Sequence, residues 1–174
     1  VAYFGISVLG CLAFWLAGMN FFDAINHAMS AISTGGFSTS DLSLAKWTQP
    51  AVHWVAVVLM ILGSLPFVLY VSTLRGNFSA VLNDQQVRGF LGILISVWLS
   101  MGTWYYFTTD LHWLDALRHV AVNATSVMTT TGFALGDYSL WGGFAGMLFF
   151  YLGFIGGCSG SVSYTHLRAH ETPE

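Results

Sequence analysis

Two short runs rich in threonine and glycine are the parts of this chain best suited to binding a cation. The first run is Ser33-Thr34-Gly35-Gly36-Phe37 and the second run is Thr129-Thr130-Thr131-Gly132-Phe133. Glycine and β-branched residues disfavour helix, so each run is expected to be extended backbone. Carbonyl and hydroxyl oxygens on such backbone can replace the water shell of a dehydrated monovalent cation. We therefore predict that the two runs form an ion-binding site in which the phenylalanines serve as packing anchors.

A short apolar segment precedes each run. As helices, residues 23–32 and 114–128 would be about 15 to 22 Å long, whereas the hydrocarbon of a bilayer is about 30 Å thick. A helix of this length enters a membrane without crossing it, and we call these two segments half-helices. Each half-helix would direct the partial negative charge of its C-terminal end at the cation bound by the following run. The expected arrangement is a re-entrant half-helix followed by an extended return.

The composition of the chain fits only an integral membrane protein. Asp, Glu, Lys and Arg make up 7% of the residues, against about 25% in soluble domains. Hydrophobic residues make up 55%, and the mean hydropathy is +0.66. A formal net charge of −3 offers no basic stripe for nucleic acid. Cys11 and Cys158 both lie in apolar segments, so we predict neither a disulfide framework nor a cysteine metal site, and no cofactor.

Apolar segments with the length of a membrane span divide the 174 residues into two repeats, 1–71 and 89–161. The predicted elements are, in order, a span at 1–18, a half-helix at 23–32, the first run, a span at 51–71, a cytoplasmic connector at 72–88, a span at 89–107, a half-helix at 114–128, the second run and an interrupted span at 141–161. The polar residues 162–174 resemble translated sequencing-adapter read-through, and we treat them as a non-native tail.

The two repeats match each other at an offset of 96 residues without a gap. The matching pairs are Ala28 and Ala124, Ser30 and Ser126, Thr34 and Thr130, Gly36 and Gly132, Phe37 and Phe133, Asp41 and Asp137, and Ser43 and Ser139. Two predicted crossings separate the runs, so both half-helices enter from the same face and the repeats are parallel. The sequence thus predicts an all-α membrane protein with parallel helix–pore-loop–helix repeats, as in potassium channels.

Three motifs in this chain resemble those of a known family. They are Asp23-Ala24, His27-Ala28, Ser30 and Ile32 to Ser38 with Asp41 and Ser43; Leu117-Arg118-His119, Asn123, Ser126 and Met128 to Ala134 with Asp137 and Ser139; and Gly156-Gly157-Cys158-Ser159-Gly160-Ser161. The first two resemble the second and third pore loops of the Trk/Ktr/HKT superfamily of potassium transporters, most closely its bacterial TrkH type. The third is similar to the intramembrane gating loop below the selectivity filter in that family.

The resemblance implies a potassium uptake protein of the bacterial inner membrane that crosses the bilayer several times. The family builds one pore from four repeats of a single polypeptide, so each run would form one quarter of the filter and the missing repeats would be its partners. The resemblance further implies a homodimer, a cytoplasmic nucleotide-binding regulatory subunit of the TrkA or KtrA kind, potassium as the only bound metal, and no enzymatic activity.

Two alternatives remain open from the sequence. One is the related potassium-translocating subunit of an ATP-driven pump, which has similar pore loops. The other is a membrane-embedded enzyme using His27, His53, His112 and His119, which requires a cluster of histidine and aspartate side chains away from the two runs. The more ordinary interpretation of these histidines is hydrogen bonding at the membrane interface.

Two charged residues of the half-helices have ordinary structural interpretations. We expect Asp23 to cap the first half-helix. We expect Arg118 to pair with Asp115, three residues before it on the second half-helix.

Overall fold

The computed structural model describes residues 2–65, 70 and 84–155, and all regular structure within them is helical. The all-α fold expected from the sequence is therefore confirmed for this part of the chain. The helices are α1 (Ala2–Leu16), α2 (Phe21–Ile32), α3 (Pro50–Ser64), α4 (Gln85–Thr108), α5 (Trp113–Met128) and α6 (Gly143–Ile155), with 3₁₀ turns at Ser43–Lys46 and Tyr138–Trp141. The predicted gating loop at 156–161, the tail at 162–174 and most of the connector lie outside the described residues.

The half-helix α2 begins at a cap that differs from the expected one. Asn20, not Asp23, is the N-cap, because its side-chain oxygen accepts a hydrogen bond of 2.8 Å from the backbone N–H of Asp23. The Asn20 side chain also donates to the Asp23 carboxylate at 2.8 Å. The bond from Asp23 N–H to Asn20 satisfies an N–H that the helix itself cannot pair. The second bond links the two side chains.

Two predicted boundaries move for local reasons. The carboxylate of Asp84 accepts hydrogen bonds from the N–H groups of Gln86 and Val87, so α4 starts at Gln85 and takes up the last residues of the predicted connector 72–88. The predicted span 51–71 is not one continuous helix. Helix α3 ends at Ser64, and Leu65 has an extended ψ of 147° because the following proline disfavours helical backbone at this position.

One described helix, α4, is both long and apolar enough to cross a membrane, with 24 residues. The apolar helices α1, α3 and α6 are shorter within the described residues, with 15, 15 and 13 residues. The half-helices α2 and α5 have 12 and 16 residues, which corresponds to about 18 and 24 Å. Neither half-helix reaches across about 30 Å of hydrocarbon.

The helices pack as two units of three that meet along α3 and α5. In the first unit α2 lies between α1 and α3, and Gly10 of α1 allows the side chains of Leu59 and Ala28 to approach closely. In the second unit α5 packs against α4 and α6 through a cluster that includes Leu94 and Met128. Each unit thus holds one half-helix against apolar neighbours, and this packing positions the two runs.

Candidate ion-binding site

The first run and the second run meet in the folded chain. A Cβ atom added to Gly36 would lie 2.0 Å from the carbonyl oxygen of Thr131 and 3.1 Å from the Cα of Gly132. Gly36 also has a φ of 69°, which side chains rarely adopt. Only glycine fits at this point, because any side chain would overlap the backbone of the other run. The two runs predicted to bind a cation are therefore brought into direct contact.

Both runs leave their half-helices through the same hydrogen-bond pattern. In the first, the N–H of Gly35 donates to Ser30 O at 2.8 Å and the N–H of Thr34 donates to Ala31 O at 3.2 Å. In the second, the matching bonds run from Thr131 to Ser126 at 2.9 Å and from Thr130 to Val127 at 3.1 Å. This pair of bonds is the Schellman motif, which ends a helix abruptly. The 96-residue repeat therefore extends to individual backbone hydrogen bonds.

The turn of each Schellman motif is made by a threonine, although glycine is the residue expected there. Thr34 and Thr130 have φ values of 51° and 56°, in the left-handed region that glycine usually occupies at this position. A β-branched residue there is a genuine outlier, with a cost of about 1 to 2 kcal/mol. Strain of this kind is characteristic of functional sites. The match of Thr34 with Thr130 across the repeat was the available signal.

The backbone oxygens of both runs are largely unpaired. Among the described residues, no N–H donates to the carbonyl groups of residues 34–36 or 130–132. The hydroxyl of Thr34 donates to Ser33 O at 2.8 Å, and the hydroxyls of Thr129 and Thr131 lie 2.7 Å apart. Unpaired carbonyls at the C-terminal end of a helix carry partial negative charge and are suitable ligands for a dehydrated cation.

The two phenylalanines differ in environment. Phe133 is 1% exposed, and its ring stacks on that of His27 with centroids 5.6 Å apart and an interplanar angle of 18°. It packs as predicted. Phe37 is 82% exposed, so within the described residues it has no packing neighbour, and its role as a packing anchor stays a prediction. The difference arises because the first unit supplies a neighbour for the second run, whereas the described chain supplies none for the Phe37 ring.

A second contact between the units follows Phe133. The N–H of Ala134 donates to the hydroxyl of Ser43 at 3.1 Å, and the N–H of Leu44 donates to Ala134 O at 3.1 Å. Leu44 is buried, but Leu140, its counterpart 96 residues later, is exposed. One face of the first unit thus holds the second run, and the equivalent face of the second unit is open. Contacts of this kind are head-to-tail, since different surfaces of the two repeats meet.

Asp23 connects its half-helix to the chain that follows the first run. Its carboxylate accepts hydrogen bonds from the Thr39 hydroxyl at 2.5 Å and from Lys46 Nζ at 3.4 Å. The hydrogen bond from Thr39 is the main reason that the pKa of Asp23 is below its ordinary value, and Lys46 and Asn20 act in the same direction against the effect of burial. The carboxylate is therefore charged at neutral pH and adds negative potential at the start of α2.

The histidines do not form the cluster that a membrane-embedded enzyme would require. Within the part of the chain that the structure describes, no three His, Cys, Asp or Glu side chains are placed to hold a metal ion. His27 and His53 are buried, and each bonds to a backbone carbonyl, of Asp23 and Leu44 respectively. The structure therefore gives this alternative no support.

The pairing expected for Arg118 is confirmed. Its Nη2 lies 2.8 Å from Asp115 Oδ1, three residues earlier on α5. The pair is internal to the half-helix, so the cationic head of Arg118 is directed to a carboxylate and not to the two runs.

Comparison with known proteins agrees with this geometry. The chain matches the TrkH family, described as a cation transport protein, over residues 1–166. It is 45% identical over 162 residues to the Trk system potassium uptake protein TrkI of Halomonas elongata, covering 92% of this chain and 33% of that protein. It is 32% identical over 163 residues to the Trk system potassium uptake protein TrkH of Salmonella typhimurium, covering 92% of this chain and 34% of the other.

A solved structure shows the same fold. The crystal structure of the potassium transporter TrkH from Vibrio parahaemolyticus superimposes with a TM-score of 0.83 at 31% identity, covering 91% of this chain and 35% of that one. The chain thus spans about a third of the length of the relatives it matches.

Proposed function

The chain belongs to the TrkH family of cation transport proteins, and from this premise we propose that it forms part of a potassium uptake pore in a bacterial inner membrane. The observation that carries the proposal is the contact between Gly36 and Thr131, which brings two runs of unpaired carbonyls together at the ends of two half-helices. We infer the transported ion from the names of two relatives, since TrkI of Halomonas elongata and TrkH of Salmonella typhimurium are both named potassium uptake proteins.

In this proposal the oxygens of the two runs stand in for the water around potassium. Residues 33–37 and 129–133 would each form one quarter of a selectivity filter. The C-terminal ends of α2 and α5 would add their partial negative charge to the same site. Transport of this type involves no covalent chemistry, so we expect no enzymatic activity and no cofactor.

The head-to-tail contact supports further repeats as partners. Phe133 and Ala134 of the second repeat lie on the face of the first repeat that contains His27 and Leu44. A head-to-tail contact leaves one unmatched surface at each end and forms a ring when its rotation closes. We propose that Phe37 packs in the same way on a preceding repeat. The exposed face at Leu140 would in turn hold the run of a following repeat.

Other parts of the proposal come from the family resemblance. Residues 156–161, with the sequence Gly156-Gly157-Cys158-Ser159-Gly160-Ser161, would form a gating loop below the filter. The full-length protein would be a multi-pass membrane protein and a homodimer, and it would bind a cytoplasmic nucleotide-binding subunit of the TrkA or KtrA kind. Binding of the regulatory subunit can be tested with a pull-down on the full-length protein.

The central test is a chimaera in which residues 1–161 replace the matching third of Halomonas elongata TrkI. It is expressed in a bacterial strain that lacks potassium uptake systems, and uptake of potassium is measured. We expect the chimaera to restore uptake and Gly36→Ala to abolish it, because the new Cβ would overlap Thr131 O. Gly92→Ala is the matched control, since no atom lies within 4 Å of its added Cβ. A chimaera that reaches the membrane without transporting potassium would refute the proposal.

A further inference from the structure

Behind each run, one fully buried polar side chain of the half-helix bonds to the chain that follows the Gly-Phe pair. In α2 this residue is His27 and in α5 it is Asn123, at matching positions of the repeat, 96 residues apart. Neither had a role in the ion-binding site inferred from the sequence. Their shared position and shared target suggest a common task.

His27 uses both ring nitrogens. Nδ1 lies 2.8 Å from the carbonyl oxygen of Asp23, and Nε2 lies 3.0 Å from the hydroxyl of Ser38. Because a carbonyl can only accept, Nδ1 carries the proton and Nε2 accepts from Ser38. Ser38 directly follows Phe37, and the ring of His27 also stacks on Phe133. One side chain therefore contacts the chain at the end of both runs.

Both polar atoms of the Asn123 side-chain amide bond to the backbone of one residue, Leu135. Its Nδ2 donates to Leu135 O at 3.1 Å, and its Oδ1 accepts from the N–H of Leu135 at 2.9 Å. Leu135 lies two residues after Phe133, so these two hydrogen bonds set the distance between the end of the second run and α5. The side chain thereby completes backbone hydrogen bonds that an extended strand would otherwise lack.

The two residues share a position but not a chemistry. The imidazole of His27 bonds to a serine hydroxyl, and the amide of Asn123 bonds to a backbone peptide group. The two interactions have one effect in common, since each holds the chain that follows a run against the half-helix before it. A buried polar group is costly unless it is paired, so an apolar residue would be the simpler choice if packing were the only task. Neither can be a cation ligand, because both are fully buried and their polar atoms are already bonded.

We infer that His27 and Asn123 are positioning residues that set the spacing of the two runs and thereby the preference of the site for potassium over the smaller sodium ion. This inference rests on the proposed function, since it assigns the selectivity of that same site. A filter discriminates between ions of equal charge by the distance and number of its oxygens. Hydrogen bonds that hold the chain after each run against its half-helix determine that distance.

The test uses the chimaera with three substitutions. His27→Phe keeps a ring against Phe133 but removes both hydrogen bonds. Ser38→Ala removes the hydroxyl that bonds to Nε2 and that also accepts from the Ser40 N–H at 3.2 Å. Asn123→Leu keeps the volume of the amide without its polar atoms. For His27→Phe and Asn123→Leu we expect the ratio of potassium to sodium uptake to fall by about tenfold, equivalent to about 1.4 kcal/mol or the net contribution of one hydrogen bond.

One matched control lies on α2 beside His27, and the other lies on the neighbouring helix α4. Asn26→Leu alters an asparagine of α2 whose amide bonds only to Phe22 O in its own helix, and Ser96→Ala alters a serine of α4 bonded to Gly92 O. Both are expected to keep the uptake ratio of the unmodified chimaera. A role in stability alone would lower the amount of protein in the membrane and leave the ratio unchanged, so uptake is normalised to abundance.

Each outcome decides the inference. The inference is supported if the ratio of potassium to sodium uptake falls in Asn123→Leu and Ser38→Ala and is unchanged in the controls. If His27→Phe does not accumulate in the membrane, Ser38→Ala alone tests the role of His27. Unchanged ratios in Asn123→Leu and Ser38→Ala at normal abundance would overturn it while leaving the proposed function intact. Failure of the unmodified chimaera to take up potassium would instead overturn the proposed function, and this inference with it.

Discussion

Gly63 of α3 lies against the carbonyl group of Ile32 at the C-terminal end of the half-helix α2. A Cβ added to Gly63 would be 2.7 Å from Ile32 O and 2.8 Å from Ala31 O. Both neighbours are backbone atoms of the turn into the first run, so they cannot rotate away as a side chain can. The position of that turn therefore depends on the absence of a side chain in the neighbouring helix.

Gly63→Ala is expected to destabilise the chimaera by about 1 to 3 kcal/mol, the usual cost of an added carbon in a filled space. Gly10→Ala should cost less, because the nearest atoms to its added Cβ are the ends of the flexible Leu59 side chain. Thermal unfolding of the detergent-solubilised proteins measures both. Equal stability of Gly63→Ala and the unmodified chimaera would contradict the close approach of α3 to α2.

Thr130→Gly is expected to raise the free energy of unfolding by up to about 1.5 kcal/mol. The change removes the strain of a left-handed threonine at φ 56°, which is about 1 to 2 kcal/mol. Glycine has greater freedom in the unfolded chain, and this offsets about 0.5 to 1 kcal/mol of the gain. Thr103→Gly in α4 is the control and should be destabilising, because its backbone is helical. Chemical denaturation compares the two, and a destabilised Thr130→Gly would show that the threonine is not strained.

Phe37→Ala tests the head-to-tail assembly. In the full-length chimaera we expect a loss of about 3 to 5 kcal/mol in stability, as for Phe133→Ala, because both rings would be buried on a preceding repeat. Phe107→Ala is the matched control, since Phe107 is 83% exposed at the end of α4 and takes no part in the contact between the two described repeats. Thermal unfolding measures all three. A Phe37→Ala protein as stable as the control would mean that Phe37 has no such neighbour.

Much of the fold could be predicted because its causes are local. The collapse of helix propensity at Thr34-Gly35-Gly36 and Thr129-Thr130-Thr131-Gly132 marked where α2 and α5 end, and the structure ends them at Ile32 and Met128. Proline at position 66 was likewise a local signal for the end of α3, although the apolar run beyond it suggested a longer span. The start of α4 was missed because Asp84 was counted as part of a connector and not as a cap.

The contacts of the site had no local cause and so could not be predicted in detail. The sequence by itself determined the repeat, the short half-helices and the two runs, since these depend on composition, spacing and bilayer thickness. Only the tertiary structure decided that Gly36 meets Thr131, that Phe133 is buried while Phe37 is exposed, and that His27 contacts the ends of both runs. The reason is physical: residues of the two repeats are distant in sequence, and they are brought together by the packing of α3 on α5 and by the hydrogen bonds of Ala134 with Ser43 and Leu44.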